Sequence, residues 1–325
     1  MPRALVLVTE PEFRKAPDVF SASSTIECVA APSDEAELAA AIVSRGARHA
    51  IIGHLPYRQQ LYDSLARGAV LARFGVGYES IDLARATAAG LLCTNTPGVL
   101  DQSVAELTML LVAAAARHLT ELDGGMRGRA WTPRTGAELA GKTLAIVGSG
   151  RIGRAVARIA ADGFQIRVIG CRRTAAAAEP PFSAMTTDFS AAVQDADFVS
   201  LHMPASPENR RFLSRERLAA IRPDAWLINT ARGAIVDEAA LYDALSAGTL
   251  AGAALDVFER EPYEPVDPGR DLRTLPNVIL TPHTGSNTTE ANRAMAARAV
   301  VNVELGVRGE FGRMDLLNRE VLTLS

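Results

Sequence analysis

Apolar residues along this chain fall in short unbroken runs, separated by longer stretches in which they recur at helical spacing. Runs so short and so continuous read as strands buried on both faces, the pattern of parallel sheets covered by helices. Two series stand out. The first comprises ALVLV (4–8), IECVA (26–30), AIIG (50–53), AVLARF (69–74) and LLCTN (91–95). The second comprises TLAIVG (143–148), IRVIG (166–170), FVSLH (198–202), WLINT (226–230), GAALDVF (252–258) and VILTPH (278–283). Five strands are therefore predicted in the first series and six in the second, and six is the count of a complete dinucleotide-binding fold.

Between the series lies TPGVLDQSVAELTMLLVAAAARHL. Pro97 and Gly98 close a turn, and Asp101 is placed to cap an Ala/Leu-rich helix that is apolar on most faces and hence buried. A further helix, TTEANRAMAARAVVNVELGV, follows the last strand, and TAAAAEPP reads as a surface loop. If that last helix packs back on the first sheet, the first domain is discontinuous. The expected fold is thus α/β with two doubly wound parallel-sheet domains. One is flavodoxin-like, from residues 1–98 and 289–325; the other is a Rossmann domain, 99–288, and a cleft lies between them.

A length of 325 residues suits two domains, and 48% hydrophobic with 22% charged residues suits a globular chain rich in buried strands. The net charge of −3 argues against nucleic acid as a partner. Cys28, Cys93 and Cys171 are scattered and form no metal-binding or disulfide pattern. The run Leu5–Val8, soon followed by Glu10, is too short for a signal peptide, and the most apolar segment, 107–116, is too short to span a membrane. A soluble cytoplasmic protein is expected.

The chemistry begins at KTLAIVGSGRIGRAVARIA, where Gly148, Gly150 and Gly153 form G-x-G-x-x-G between a strand and a helix. The three glycines allow the tight turn, the approach of a pyrophosphate and the close packing of helix on strand, while the helix N-terminus offers N–H groups to phosphate. In open parallel sheets ligands gather at the carboxyl ends of strands. This gives weight to LHMP (201–204), NTARG (229–233), DVFEREP (256–262) and TPHTGS (281–286). Arg232 is poorly placed for a solvated cation. His202 and His283 both end strands and both suit proton transfer near neutral pH; position alone does not choose between them. Glu259 and Glu261 are candidates to orient a histidine and favour its protonated form.

Together these stretches resemble the D-isomer-specific 2-hydroxyacid dehydrogenase family, glyoxylate/hydroxypyruvate reductase-like, over about residues 50–305. The similarity runs through six blocks in order: GVGYESIDLARATAAGLLCTNTPG, GAELAGKTLAIVGSGRIGRAVA, SLHMPASPENRRFLS, INTARGAIVDEAAL, GAALDVFEREP and VILTPHTGSNT. It implies a catalytic set of Arg232, Glu261 and His283, which leaves His202 a structural or cofactor-side role. It implies a substrate-binding first domain in which the N–H groups of Val76 and Gly77 take a carboxylate, helped by Arg232. Around the cofactor it places Gly148, Gly150, Arg151, Ile152, Gly153, Met203, Thr230, Ala231, Asp256 and Gly285. Leu55, Pro56, Tyr78 and Trp131 are candidates for shaping the substrate pocket. The implied reaction is hydride transfer to C2 of a small 2-oxo acid, without a metal, in a homodimer. Phosphite dehydrogenases of the family carry a lysine near the turn that RFGVGYES lacks; phosphoglycerate oxidation, or a cofactor-sensing corepressor scaffold, are the other family outcomes.

One stretch departs from the family's NAD-preferring members. They place an aspartate where this chain has Cys171, followed by Arg172 and Arg173. Without the carboxylate a 2′-phosphate is not repelled, and the two arginines can bind it. NADP(H) is therefore the expected cofactor, with NAD(H) also possible.

Overall fold

The computed structural model describes residues 3–323. The chain divides into two compact units, Met1–Leu100 with Asn287–Ser325, and Asp101–Ser286.

In the first unit, strands β1 (Ala4–Thr9), β2 (Ile26–Ala31), β3 (His49–Ile52), β4 (Val70–Arg73) and β5 (Leu92–Thr94) form a sheet in the order β2-β1-β3-β4-β5. All the pairings are parallel, and the order is the flavodoxin-like one, which reverses between β1 and β3. Val6, Leu7 and Val8 of the interior strand β1 are wholly buried, as an apolar run with no polar alternate requires. The helix Thr289–Val307 returns to this unit and lies on β4 so closely that a Cβ on Gly306 would sit 2.4 Å from Val70 Cγ2. Beyond it, Asn318 receives the N–H of Cys93 at 3.0 Å and donates to Leu91 O at 2.9 Å, and Leu316 bridges Thr94 at the sheet's edge.

The second unit has a parallel sheet of seven strands. They are β6 (Thr143–Val147), β7 (Arg167–Cys171), β8 (Ala184–Thr186), β9 (Phe198–Leu201), β10 (Trp226–Asn229), β11 (Gly252–Leu255) and β12 (Val278–Leu280), in the order β12-β11-β10-β9-β6-β7-β8. Sequence reading predicts six strands here and misses β8. That strand is three residues long, edge-placed and only half-buried, so it carries no apolar run. The Rossmann order 3-2-1-4-5-6 is made by β6–β11, and β12 extends it by one. Successive residues of β6 face opposite cores: Ala145 and Val147 join one, Leu144 and Ile146 the other. The helix Asp101–Ala116 covers the second of these, burying Ala105, Met109 and Val112. Asp101 is the first residue of that helix rather than its cap, and its carboxylate accepts Arg151 Nε at 2.8 Å.

Candidate active site

The strand order of the second unit reverses between β6 and β9, and there the glycine turn sits. Gly148 follows β6 with φ 101°, and a Cβ on it would lie 2.6 Å from His202 O, so only glycine passes between the two strand ends. Gly153 is buried, with a Cβ clash of 2.2 Å against Gly148 O; it brings the helix Arg151–Arg158 down on the turn. A Cβ on Gly150, the residue before that helix, would meet nothing within 4 Å. Open space at this glycine, ahead of the N–H groups of a helix start, is what a pyrophosphate needs. Arg151 points away to Asp101, and Ile152 leans on the core.

A cavity of about 1040 Å³ opens beside the turn, lined by Gly148, Ser149, Gly150, Cys171, Arg172, Arg173, Met203 and Arg217, among others. Cys171 ends β7 and is 5% exposed; burial pushes its thiol pKa up, so it is a neutral group at this corner. Both arginines after it are exposed. The Arg172 N–H donates to Thr186 O at 3.0 Å, so the unpredicted strand β8 fixes this corner. Arg217, which sequence does not single out, stacks at 3.9 Å on the Phe212 ring and donates to Phe212 O at 2.7 Å. It lies in a short helix with no motif around it.

His202 borders the same turn. Its Nε2 meets Ser200 Oγ at 2.8 Å, and desolvation pulls its pKa down to about 3, so it stays neutral. Thr230 is 7% exposed and its hydroxyl meets Thr108 Oγ1 at 2.8 Å. Thr108 already donates to Val104 O at 2.7 Å, so Thr230 is the donor in that pair and its hydroxyl is engaged there. The next turn is braced by the buried Asn229, which accepts Ala231 N–H at 3.0 Å and donates to Arg232 O at 2.9 Å. Arg232 is half-buried and its Nη1 reaches Ala231 O at 2.6 Å.

His283 and Glu261 come together: His283 Nδ1 lies 2.6 Å from Glu261 Oε2. Glu261 Oε1 accepts the Phe258 N–H at 2.9 Å, which fixes the carboxylate. A carboxylate only accepts, so Nδ1 carries the proton of this bond. Glu259, the other candidate, instead pairs with Arg210 at 3.2 Å and Arg211 at 3.4 Å. The histidine's backbone has φ 50°, a left-handed conformation uncommon outside glycine, and its N–H is tied to Asp256 O at 2.8 Å. Asp256 is 1% exposed. Its carboxylate accepts Thr281 Oγ1 at 2.6 Å, Thr284 N–H at 2.8 Å and Gly285 N–H at 2.8 Å. Asp256 and Gly285 are thus tied to each other and shape the loop that presents His283.

In the first unit, Gly75 turns with φ 138° after β4. Its N–H donates to Thr96 Oγ1 at 3.0 Å, Thr96 N–H returns to Gly75 O at 3.0 Å, and Asn95 Nδ2 holds Val76 O at 2.7 Å. With that carbonyl held, the half-buried N–H groups of Val76 and Gly77 keep a fixed direction. Leu55 and Tyr78 are 41% and 43% exposed, and Trp131, in the second unit, is 84% exposed.

The family model for the D-isomer specific 2-hydroxyacid dehydrogenase NAD binding domain matches residues 109–285. A glyoxylate reductase of Thermococcus litoralis is 40% identical over 277 residues, covering 82% of each chain. Among solved structures, a protein of Thermus thermophilus superposes with a TM-score of 0.78 at 36% identity, over 94% of this chain and 97% of that one. An NADPH-dependent glyoxylate/hydroxypyruvate reductase of Sinorhizobium meliloti, in complex with NADP and malonate, gives a TM-score of 0.78 at 30% identity, over 94% of this chain and 93% of that one. With the glycine turn, the cavity beside it and the His283–Glu261 pair, these likenesses make the chain a member of the D-isomer specific 2-hydroxyacid dehydrogenase family, an NAD(P)-dependent oxidoreductase.

Proposed function

We propose that the protein reduces a small 2-oxo acid of the glyoxylate or hydroxypyruvate kind to its 2-hydroxy acid, with NADPH preferred over NADH. The His283 Nδ1–Glu261 Oε2 contact of 2.6 Å carries this reading. It gives an imidazole oriented by a carboxylate at Nδ1, so that the imidazolium form can deliver its second proton from Nε2. When bound, the nicotinamide supplies the hydride that adds to C2. His283 gives its proton to the carbonyl oxygen as negative charge develops there, and Glu261 stabilises the imidazolium before that transfer. Arg232 polarises the carbonyl and holds the carboxylate, which the N–H groups of Val76 and Gly77 also bind. Gly148, Gly150 and Gly153 hold the pyrophosphate; Met203 and the backbone of Thr230 and Ala231 line the cofactor. Asp256 and Gly285 act by holding the His283 loop.

Arg172 and Arg173 bind the 2′-phosphate, a reading supported by the neutral Cys171 beside them and by the NADPH dependence of the Sinorhizobium meliloti relative. Discontinuous residues 1–98 and 289–325 form the substrate-binding domain and 99–288 the cofactor domain. The exposed apolar side chains of Leu110, Leu119, Met126 and Trp131 on the cofactor domain support a homodimer. Free thiols at Cys28, Cys93 and Cys171 suit a cytoplasmic setting. The deciding experiment is a panel of 2-oxo acids assayed with NADPH and NADH separately. Turnover is expected on glyoxylate or hydroxypyruvate, faster at limiting NADPH; no turnover on any 2-oxo acid with either cofactor overturns the reading.

A further inference from the structure

We propose that Glu238 is a positioning residue for the His283–Glu261 pair, locking the loop that carries Glu261 onto the segment that carries Arg232. The inference rests on the reading of that pair as the proton-donating centre.

Glu238 opens the helix Glu238–Ser246, just after the Arg232 turn. A first-turn glutamate ordinarily lies in solvent and serves the helix dipole. The capping here is done by Asp237, which accepts Ala240 N–H at 3.0 Å, so the helix does not need Glu238 for this. Glu238 is instead 4% exposed, and its Oε1 accepts the backbone N–H of Glu259. Its Oε2 is buried with no hydrogen-bond partner among the described residues, and so is Glu259 Oε2. Burying a carboxyl in this way is costly, and the loop it grips is the one that matters to the chemistry.

Two neighbouring amides of that loop are therefore held by two carboxyls. Phe258 N–H goes to Glu261, and Glu259 N–H goes to Glu238. The Arg232 segment presses on the same peptide, for a Cβ on Gly233 would lie 1.8 Å from Phe258 C and 2.4 Å from Glu259 N. Glu238 fastens from below what Gly233 abuts from the side, and Glu261 leaves this clamp to reach His283. The groups facing Glu238 are Glu259, Glu261, Arg260 and Tyr263, while Arg210 and Arg211 neutralise Glu259. Burial raises the Glu238 pKa to about 7; the N–H of Glu259 opposes this, and the charges of Glu259 and Glu261 add to the rise. With its pKa near neutrality the carboxyl is protonated for part of the time, which lessens its repulsion of Glu261.

The test compares Glu238→Ala and Glu238→Gln in the full-length enzyme, using glyoxylate and NADPH across pH, with NADPH affinity and thermal unfolding measured alongside. Glu238→Ala should lower kcat roughly tenfold, the size of one lost hydrogen bond, with NADPH affinity unchanged. The pH profile of its kcat should change, because a displaced Glu261 no longer holds His283 Nδ1 at 2.6 Å. Glu238→Gln keeps an acceptor for the Glu259 N–H and should recover most of both. The His283 ring resonances, followed by NMR, read the same contact without turnover and should change in Glu238→Ala. Unchanged ring resonances and pH profile, with only a lower unfolding temperature, overturn the proposal, as does failure of Glu238→Gln to rescue. An unmodified enzyme without turnover would overturn the reading of the pair itself, and the ring resonances would still decide the role of Glu238.

Discussion

Replacing Arg172 and Arg173 together by alanine tests how this chain chooses its cofactor. The backbone of Arg172 is anchored to β8 through Thr186 O at 3.0 Å, while its guanidinium makes a long contact of 3.4 Å with Thr174 Oγ1. The substitution therefore removes charge without moving the strand end. A charge-assisted bond from arginine to phosphate is worth roughly 1.5–3 kcal/mol, and solvent exposure places each of these at the lower end. Two such losses come to about 3 kcal/mol, on the order of a hundredfold in the Michaelis constant for NADPH. NADH lacks the 2′-phosphate, so its constant should change by less than about threefold under the same arithmetic. Initial rates at saturating 2-oxo acid, with each cofactor varied, measure both. Cys171→Asp should act in the same direction by placing a carboxylate beside the 2′-phosphate and offering it to the ribose hydroxyls of NADH. Equal changes for the two cofactors would refute the assignment.

His283→Ala should lower kcat by about 100- to 10,000-fold, the range for one general acid, with cofactor affinity nearly constant by fluorescence titration. Loss of binding with turnover per bound cofactor preserved would contradict that role. Gly233→Ala should abolish activity and lower the unfolding temperature, since its Cβ cannot share space with Phe258 C at 1.8 Å; a fully active variant would show that the loop yields freely. Buried His49 and His202 have pKa values pulled from 6.5 down to about 4 and about 3, so the folded chain holds them neutral where the unfolded chain binds protons. Stability should therefore decline as pH falls below about 6.5, and unfolding temperatures that stay flat from pH 7 to 4 would count against it. Glu238 acts with the opposite sign: its raised pKa costs stability as pH rises from 4.5 to about 7, a slope that Glu238→Gln should remove.

Eleven of the strands were legible because parallel strands buried on both faces must be apolar throughout. The twelfth, β8, was not, since a short half-buried edge needs no such run and Met185 finds its place against Gly170 only in three dimensions. The glycine turn was legible because Gly148 and Gly153 answer steric demands that no other residue meets, while Gly150 leaves open space ahead of a helix start. Choosing Glu261 over Glu259 lay beyond spacing. Both follow the same strand, and what separates them is that one faces Arg210 and Arg211 while the other faces His283. Family resemblance pointed to Glu261 where residue pattern alone left both open. Glu238 was invisible for a related reason: a glutamate at a helix start looks solvated until its burial is seen.

The course of the chain through its two units bears on the order in which they form during synthesis. Unit two, Asp101–Ser286, is contiguous and complete once its last strand has left the ribosome. The first unit begins earlier but finishes later. Its sheet lies in the first hundred residues, whereas the helix Thr289–Val307 that covers β4, and the Asn318 side chain that holds the β5 edge, arrive only at the end. Until then β4 exposes an apolar face and β5 an unpaired edge, the surfaces on which nascent chains aggregate. A stalled or shortened chain that ends near residue 286 would thus hold a finished cofactor unit beside an unfinished partner, and would be the form most in need of a chaperone.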